Sequence, residues 1–187
     1  MATIQERLTL EAFLELPEEE PALEYEYGEV TQKVPPQFHH ARLQLTLASL
    51  MEQASQGDRR TMAFTELRTT FGGFSRVPDV AVYRWERIPR DPSGEIADGQ
   101  STEPPDIAVE IVSPDQSATA QLRCCLEYVA AGVAIALLVD PHDRSVVIVR
   151  PNDRVRVVRG EERIDLDDVL PGFQLTVQQL FDSLRLS

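Results

Sequence analysis

A single lysine, Lys33, stands among 187 residues, and that scarcity is the first constraint on the chain. Eighteen Lys and Arg against 31 Asp and Glu leave a net charge of −13. Such a balance opposes non-specific nucleic-acid binding, in which basic side chains displace counterions from phosphates. The acidity is uneven, however. Residues 1–30 hold nine Glu and one Arg (net −8), residues 31–100 nine basic and eight acidic residues (net +1), and residues 101–187 eight basic and fourteen acidic (net −6). The middle segment alone can face a polyanion without strong repulsion.

Cysteine is nearly as scarce. Cys124 and Cys125 are neighbours in a helical pattern, and adjacent helix positions point about 100° apart, which makes a disulfide between them geometrically poor. No CxxC or Cys/His cluster has zinc spacing. No apolar run approaches the ~18 residues of a membrane span, and nothing at the N-terminus resembles a signal peptide. A cytoplasmic, reducing setting with no membrane partner is the expectation. Repeats and long low-complexity stretches are absent. With 42% apolar residues, one substantial core and one domain over residues 1–187 are expected.

What is present reads as alternating helices and strands. Thr9 caps a short helix that ends near Pro17. Strands over Leu23–Tyr27 and Glu29–Val34 form a hairpin around Gly28. Leu43, Leu47, Leu50 and Met51 recur at helical spacing between Phe38 and about Gln56. Strands follow at Thr61–Glu66, Leu67–Thr70 and Val77–Arg84, with a Gly72-Gly73 turn. Residues 87–105, rich in Pro and Gly, form a surface loop. Next come a strand at Ile107–Val112, a helix at Ser117–Ala131 closed by Gly132, and a strand at Val133–Val139. A turn over Asp140–Asp143 leads to strands at Ser145–Arg150 and Val155–Arg159. A Leu170-Pro171-Gly172 loop precedes a closing helix at Val177–Leu184. Apolar strands separated by helices indicate a three-layer α/β arrangement.

Two of these strands carry carboxylates in otherwise apolar strings: Val77-Pro78-Asp79-Val80-Ala81-Val82 and Pro105-Asp106-Ile107-Ala108-Val109-Glu110-Ile111-Val112-Ser113. A buried carboxylate costs several kcal/mol (roughly) unless it is paired or bound to a metal. Two on neighbouring strands suggest a divalent-cation site. Pairing of the acids by arginines is the plainer alternative.

The pattern Glu24…Gly28-Glu29, Pro35-Pro36 before His40, Pro78-Asp79, Asp106…Glu110-x-x-Ser113-Pro114, Tyr128…Ala131-Gly132-Val133, Val139-Asp140-Pro141 and Leu170-Pro171-Gly172-Phe173 resembles the restriction-endonuclease domain proteins of Uma type, within the restriction-endonuclease-like PD-(D/E)XK superfamily. The resemblance covers roughly residues 8–184. It implies an endonuclease-like α/β core: a mixed central sheet flanked by helices, an added N-terminal helix and hairpin, and a C-terminal meander with a helix. It also implies a Mg²⁺- or Mn²⁺-dependent hydrolase of phosphodiester bonds, with nucleic acid as partner (DNA rather than RNA) and, by analogy, a homodimer.

The resemblance places the metal ligands on Asp79 and Glu110, with the backbone carbonyl of Ile111 as a third. The superfamily's lysine, two residues after the Glu, falls on Val112. Its migrated position in this family, four residues before the matching Tyr128, falls on Cys124. Neither residue supplies a positive charge. Arg123 could act as a fixed cation, and Arg123 or Lys33 could replace the lysine; a guanidinium is effectively never a base. Glu24 and Glu29 match family positions and either approach the cleft or form a solvated acidic hairpin. His40 is either a polar group at the cleft or a helix-start residue. Cys124 is a neutral filler, a core-facing residue or a reactive thiol. A catalytically inactive fold kept as a binding or oligomerisation module is the competing reading.

Overall fold

The computed structural model describes residues 8–55, 60–114 and 116–186. Helix α1 (Leu10–Leu14) starts where the Thr9 hydroxyl accepts the Ala12 N–H. The hairpin β1 (Leu23–Glu26) and β2 (Glu29–Gln32) turns through Tyr27 and Gly28, both at positive φ. Helix α2 runs from Phe38 to Ala54, and the expected boundary at Gln56 lies outside the described residues. Then come β3 (Thr61–Thr65), β4 (Thr69–Phe71), β5 (Phe74–Arg76) and β6 (Val80–Arg84). Beyond the loop lie β7 (Ile107–Ile111), α3 (Ala118–Ala130), β8 (Ile135–Asp140), β9 (Ser145–Arg150), β10 (Arg154–Arg159) and α4 (Val177–Asp182).

The strands form two sheets. The larger has the order β10-β9-β8-β7-β6-β3, with β7 and β8 parallel and every other pair antiparallel. Parallel pairing needs a crossover, and α3 supplies it. Side-chain alternation then decides what each face buries. Ile107, Val109 and Ile111 of β7 join Leu43, Leu47 and Met51 of α2 in one cluster. Ala108 joins Cys125 and Tyr128 of α3 in the other. Helices therefore cover both faces, as the three-layer expectation required. Truncating a fully buried member such as Leu47 to Ala costs about 2–5 kcal/mol.

The smaller sheet has the order β2-β1-β5-β4. It docks through Phe71 and Phe74, whose ring centroids lie 6.1 and 5.8 Å from that of Tyr128. Gly72, in the β4–β5 turn, has φ +61, and a Cβ there would meet Ala131 Cβ at 2.6 Å. Only glycine lets this turn approach the end of α3 so closely.

Two strand expectations change. The segment expected as one strand, Val77–Arg84, begins as a strand only at Val80, because residues 77–79 turn their polar groups to the site described below. Strand β5 at Phe74–Arg76 carries no sequence expectation, since three residues between a Gly-Gly turn and a proline are too few to show a period.

Candidate active site

The ends of β6 and β7 meet antiparallel, with Val80 opposite Val109. This register brings Asp79, one residue before β6, beside Ile111 at the end of β7. The Asp79 N–H donates to Val109 O at 3.0 Å, and the Ile111 N–H donates to Asp79 Oδ2 at 2.7 Å. One side-chain oxygen thus serves as the last rung of the ladder. Asp79 is 1% exposed.

Its other oxygen gathers cations. Lys33 Nζ lies 2.7 Å and His40 Nε2 3.1 Å from Asp79 Oδ1. Both are ion-pair approaches rather than well-aligned hydrogen bonds, for Oδ1 and Nε2 lack partners of hydrogen-bond geometry. Burial alone would raise the Asp79 pKa, but contact with His40 and the charge of Lys33 hold it below the ordinary value. Lys33 arrives from just past β2. Its ammonium also reaches Glu66 Oε2 at 2.8 Å and donates to Val77 O at 2.7 Å. Although burial opposes its charge, the fields of Asp79, Glu110 and Glu66 raise its pKa overall.

Helix α2 supplies a polar stripe beside its apolar one. His40 and Gln44, one turn apart, are both buried. His40 Nδ1 sits 3.0 Å from Ser113 Oγ, so His40 links Asp79 to Ser113. Gln44 Nε2 donates to Asp79 O at 2.9 Å and to Glu66 Oε1 at 2.7 Å. It ties the strand end to the Lys33 partner.

Glu110 is mid-strand on β7, 8% exposed, on the face that α3 covers. Tyr128 donates its hydroxyl to Glu110 Oε1 at 2.8 Å, and Cys124 Sγ lies 4.0 Å from the same atom. Burial first, and then the Asp79 charge, push the Glu110 pKa well above the ordinary value against the opposing field of Lys33. Glu24 on β1 takes the Val77 N–H at 2.8 Å. Burial raises its pKa too, and the Asp79 field adds to the effect. Two buried carboxylates and half-buried Glu24 thus share the neighbourhood of one ammonium.

Other candidates from the sequence lie elsewhere. Glu29 is exposed on β2, opposite Glu26, and takes no part in the contacts above. Arg123 is 66% exposed and pairs with Glu26 and Glu127 on the outside of α3. Burial and the Glu110 charge push the Cys124 thiol well above its ordinary pKa, so it is neither an activated nucleophile nor a cation. Asp106, the second Pro-Asp, is a structural acid. It accepts the Arg84 N–H and meets the Arg84 and Arg87 guanidinium groups at 2.7 and 3.0 Å.

Three contributors escaped the sequence reading. Gln44 and Glu66 carried no motif, although Gln44 stands four residues after His40 on an otherwise apolar helix face. Arg76, on β5, is 4% exposed and pairs with Glu26 and Glu127, its guanidinium over the Phe74 and Tyr128 rings.

Two cavities flank the site. One, of about 840 Å³, is lined by His39, His40 and His142, the three histidines of the chain, with Phe38 (95% exposed) and Ser113. Asp140 is its one acidic lining residue among those described. The other, of about 800 Å³, opens beside Lys33, Gln44 and Glu66 and is rimmed by Glu18, Glu19 and Glu20. Among the described residues no helix is long and apolar enough to cross a membrane.

Comparison with known proteins places the fold. Residues 10–178 match the Uma2 family, described as "Putative restriction endonuclease", and the chain belongs to that family. It is similar in structure to a putative nuclease belonging to DUF820 from Anabaena variabilis ATCC 29413. That likeness has a TM-score of 0.90 and 37% identity, covering 95% of this chain and 99% of that one. The endonuclease-like α/β fold is thereby shown. A DrdV–DNA complex aligns at a TM-score of 0.39 and 13% identity over 74% of this chain and 11% of that one, too weak a likeness to support an argument. No curated protein matches the chain.

Proposed function

We propose that this chain is a divalent-cation-dependent endonuclease, with Asp79 and Glu110 as its metal ligands and DNA as its substrate. The observation that carries the reading is the placing of two buried carboxylates, Asp79 and Glu110, at one end of the β6–β7 pair, with half-buried Glu24 on the Val77 N–H and Lys33 as the single ammonium there. A site so short of positive charge favours a cation.

The donors fit a hard ion. Carboxylate oxygens suit Mg²⁺ or Mn²⁺, which one or two carboxylates hold while several waters remain; among the described residues no cluster of three or more His, Cys, Asp or Glu side chains is arranged to hold a metal. The Ile111 N–H faces Asp79, and along a strand a residue's N–H and C=O point to the same neighbour, so its carbonyl faces that side too. When bound, the ion would neutralise charge on a phosphate and make a water more acidic.

The chain's own groups do the rest. Ile111 fixes one Asp79 oxygen through its N–H, leaving the other to act. The Tyr128 hydroxyl orients Glu110 and satisfies one of its oxygens. Ser113 and Asp79 hold the His40 ring between them, at the wall of the 840 Å³ cavity. That cavity, with its histidines and the exposed Phe38 ring, suits a polyanion far better than the glutamate-rimmed one beside Lys33. Nucleic acid would enter there.

Incubating the protein with supercoiled plasmid and Mn²⁺ is the test. Nicking that disappears in Asp79→Ala and Glu110→Ala supports the reading; no cleavage with any divalent ion sinks it. The second reading, an inactive endonuclease fold that binds or oligomerises, is favoured by one observation. Both lysine positions of the superfamily and family are neutral here, at Val112 and Cys124. It predicts no nicking with or without Asp79.

A further inference from the structure

We propose that Lys33 is the resident cation of Asp79 and that a divalent ion enters the site by exchange, displacing the Lys33 ammonium toward Glu66. The proposal rests on the metal-dependent reading above and adds to it a positioning residue outside the family's lysine positions.

Three oxygens surround the ammonium. It donates to Val77 O at 2.7 Å and to Glu66 Oε2 at 2.8 Å, and Asp79 Oδ1 lies 2.7 Å away as its ion-pair partner. Each is an acceptor matched to an ammonium, which has three donors and no acceptor. In this arrangement Lys33 does not assist a reaction; it occupies a carboxylate.

The occupied atom is the one a metal needs. Asp79 Oδ2 accepts the Ile111 N–H within the ladder, whereas Oδ1 accepts no hydrogen bond and faces the Lys33 and His40 nitrogens at 2.7 and 3.1 Å, so Oδ1 is the oxygen turned toward cations. A Mg²⁺-sized ion would sit about 2.1 Å from it. An ammonium at 2.7 Å and a dication cannot share that side of the oxygen, since their repulsion at such separation is severe in a buried site. Occupancy by one excludes the other.

The displaced charge has somewhere to go. Glu66 is about half exposed, and Gln44 pins its Oε1 at 2.7 Å, leaving Oε2 for Lys33. The 800 Å³ cavity opens on this side and is lined by Lys33, Gln44 and Glu66. A flexible four-carbon stem lets the ammonium swing there while it keeps its Glu66 partner. Gln44 spans the two ends of the exchange, bonding both Asp79 O and Glu66.

Mn²⁺ titration of the full chain without nucleic acid, followed by calorimetry and by the EPR signal of the free ion, tests this. Lys33→Gln removes the competitor and is expected to bind Mn²⁺ about tenfold tighter than wild type, whereas Lys33→Arg stays near wild type. Glu66→Gln removes the negative charge that receives the displaced ammonium and is expected to bind Mn²⁺ at least threefold, roughly, more weakly. A merely structural Lys33 would give the opposite sign, since loosening the site weakens binding. Wild-type binding that a folded Lys33→Gln leaves unchanged or weakens overturns the exchange alone. If Lys33→Gln does not fold, Glu66→Gln decides, and unchanged or tighter binding overturns the proposal. No binding in any protein, wild type included, sinks the metal reading and the exchange with it.

Discussion

Tyr128 donates its hydroxyl to Glu110 Oε1 at 2.8 Å, across the gap between α3 and β7. The phenol is fully buried, and its ring packs against both Phe71 and Phe74. Tyr128→Phe keeps that packing and removes only the donor. A buried acceptor left unsatisfied costs about 1–3 kcal/mol. Urea denaturation should show a loss of that size with an unchanged m-value. A smaller loss would mean that water or another group takes the hydroxyl's place.

The two Pro-Asp pairs predict different losses. Asp106 joins the Arg84 backbone and two guanidinium groups in the β6–β7 region, away from Lys33 and His40. Arg84 and Arg87 are each about one-third exposed, so both can turn to water when the partner goes. Asp106→Asn should therefore cost about 1–3 kcal/mol, below the usual cost of breaking a fully buried pair. Plasmid nicking measured well below the melting temperature should stay at the wild-type level. Abolished nicking in a folded Asp106→Asn protein would move this acid into the site.

That contrast marks how far the sequence could be read. Strand burial is a periodic signal, so β6, β7 and β8 and the helix α3 between the last two were legible, and with them the two strand ends that carry Asp79 and Glu110. What separates Asp79 from Asp106 is not periodic. It lies in which distant cations arrive: Lys33 from the hairpin and His40 from α2 at one, Arg84 and Arg87 at the other. A tally of basic residues shows a lone lysine but not its address. Likewise Gln44 and Glu66 have no local signature, because their role exists only once α2 and the turn after β3 close on the end of β6. Arg123 follows from helix geometry: adjacent positions point about 100° apart, and beside the half-buried Cys124 it lies on the outside of α3, 66% exposed.

Alkaline titration reads the buried phenols. Burial, ahead of the charges of Asp106 and Glu103, pushes Tyr83 up from 10.0 to about 12, and burial with the Cys124 and Glu110 charges pushes Tyr128 well above the ordinary value. An acid whose folded pKa is raised favours the neutral folded form. Its contribution is complete below the unfolded value and is lost as pH rises through the folded one. For Tyr83 the window runs from 10.0 to about 12. Absorbance at about 295 nm should show Tyr83 and Tyr128 ionising late. Tyr83→Phe should flatten the fall in urea midpoint across that window. An equally steep fall would place the lost stability in another group.

Cys124 is the position to rebuild. Its sulfur lies 4.0 Å from Glu110 Oε1, on the helix face that covers β7. Burial keeps the thiol neutral, so Glu110 has a hydroxyl donor but no cation on the α3 side. A lysine there would place its ammonium within reach of Glu110, opposite Lys33 across the carboxylates. A correctly placed proton-transfer or charge-stabilising group contributes typically 10²–10⁴-fold to such reactions. Allowing for imperfect placement in a cavity shaped for sulfur, Cys124→Lys should raise Mn²⁺-dependent nicking by at least tenfold, roughly. The same substitution in an Asp79→Ala background should nick nothing. A folded Cys124→Lys protein with an unchanged rate would show that the missing ammonium does not limit the reaction. Cleavage that appears only in Cys124→Lys would identify this chain as an endonuclease fold silenced by that one change.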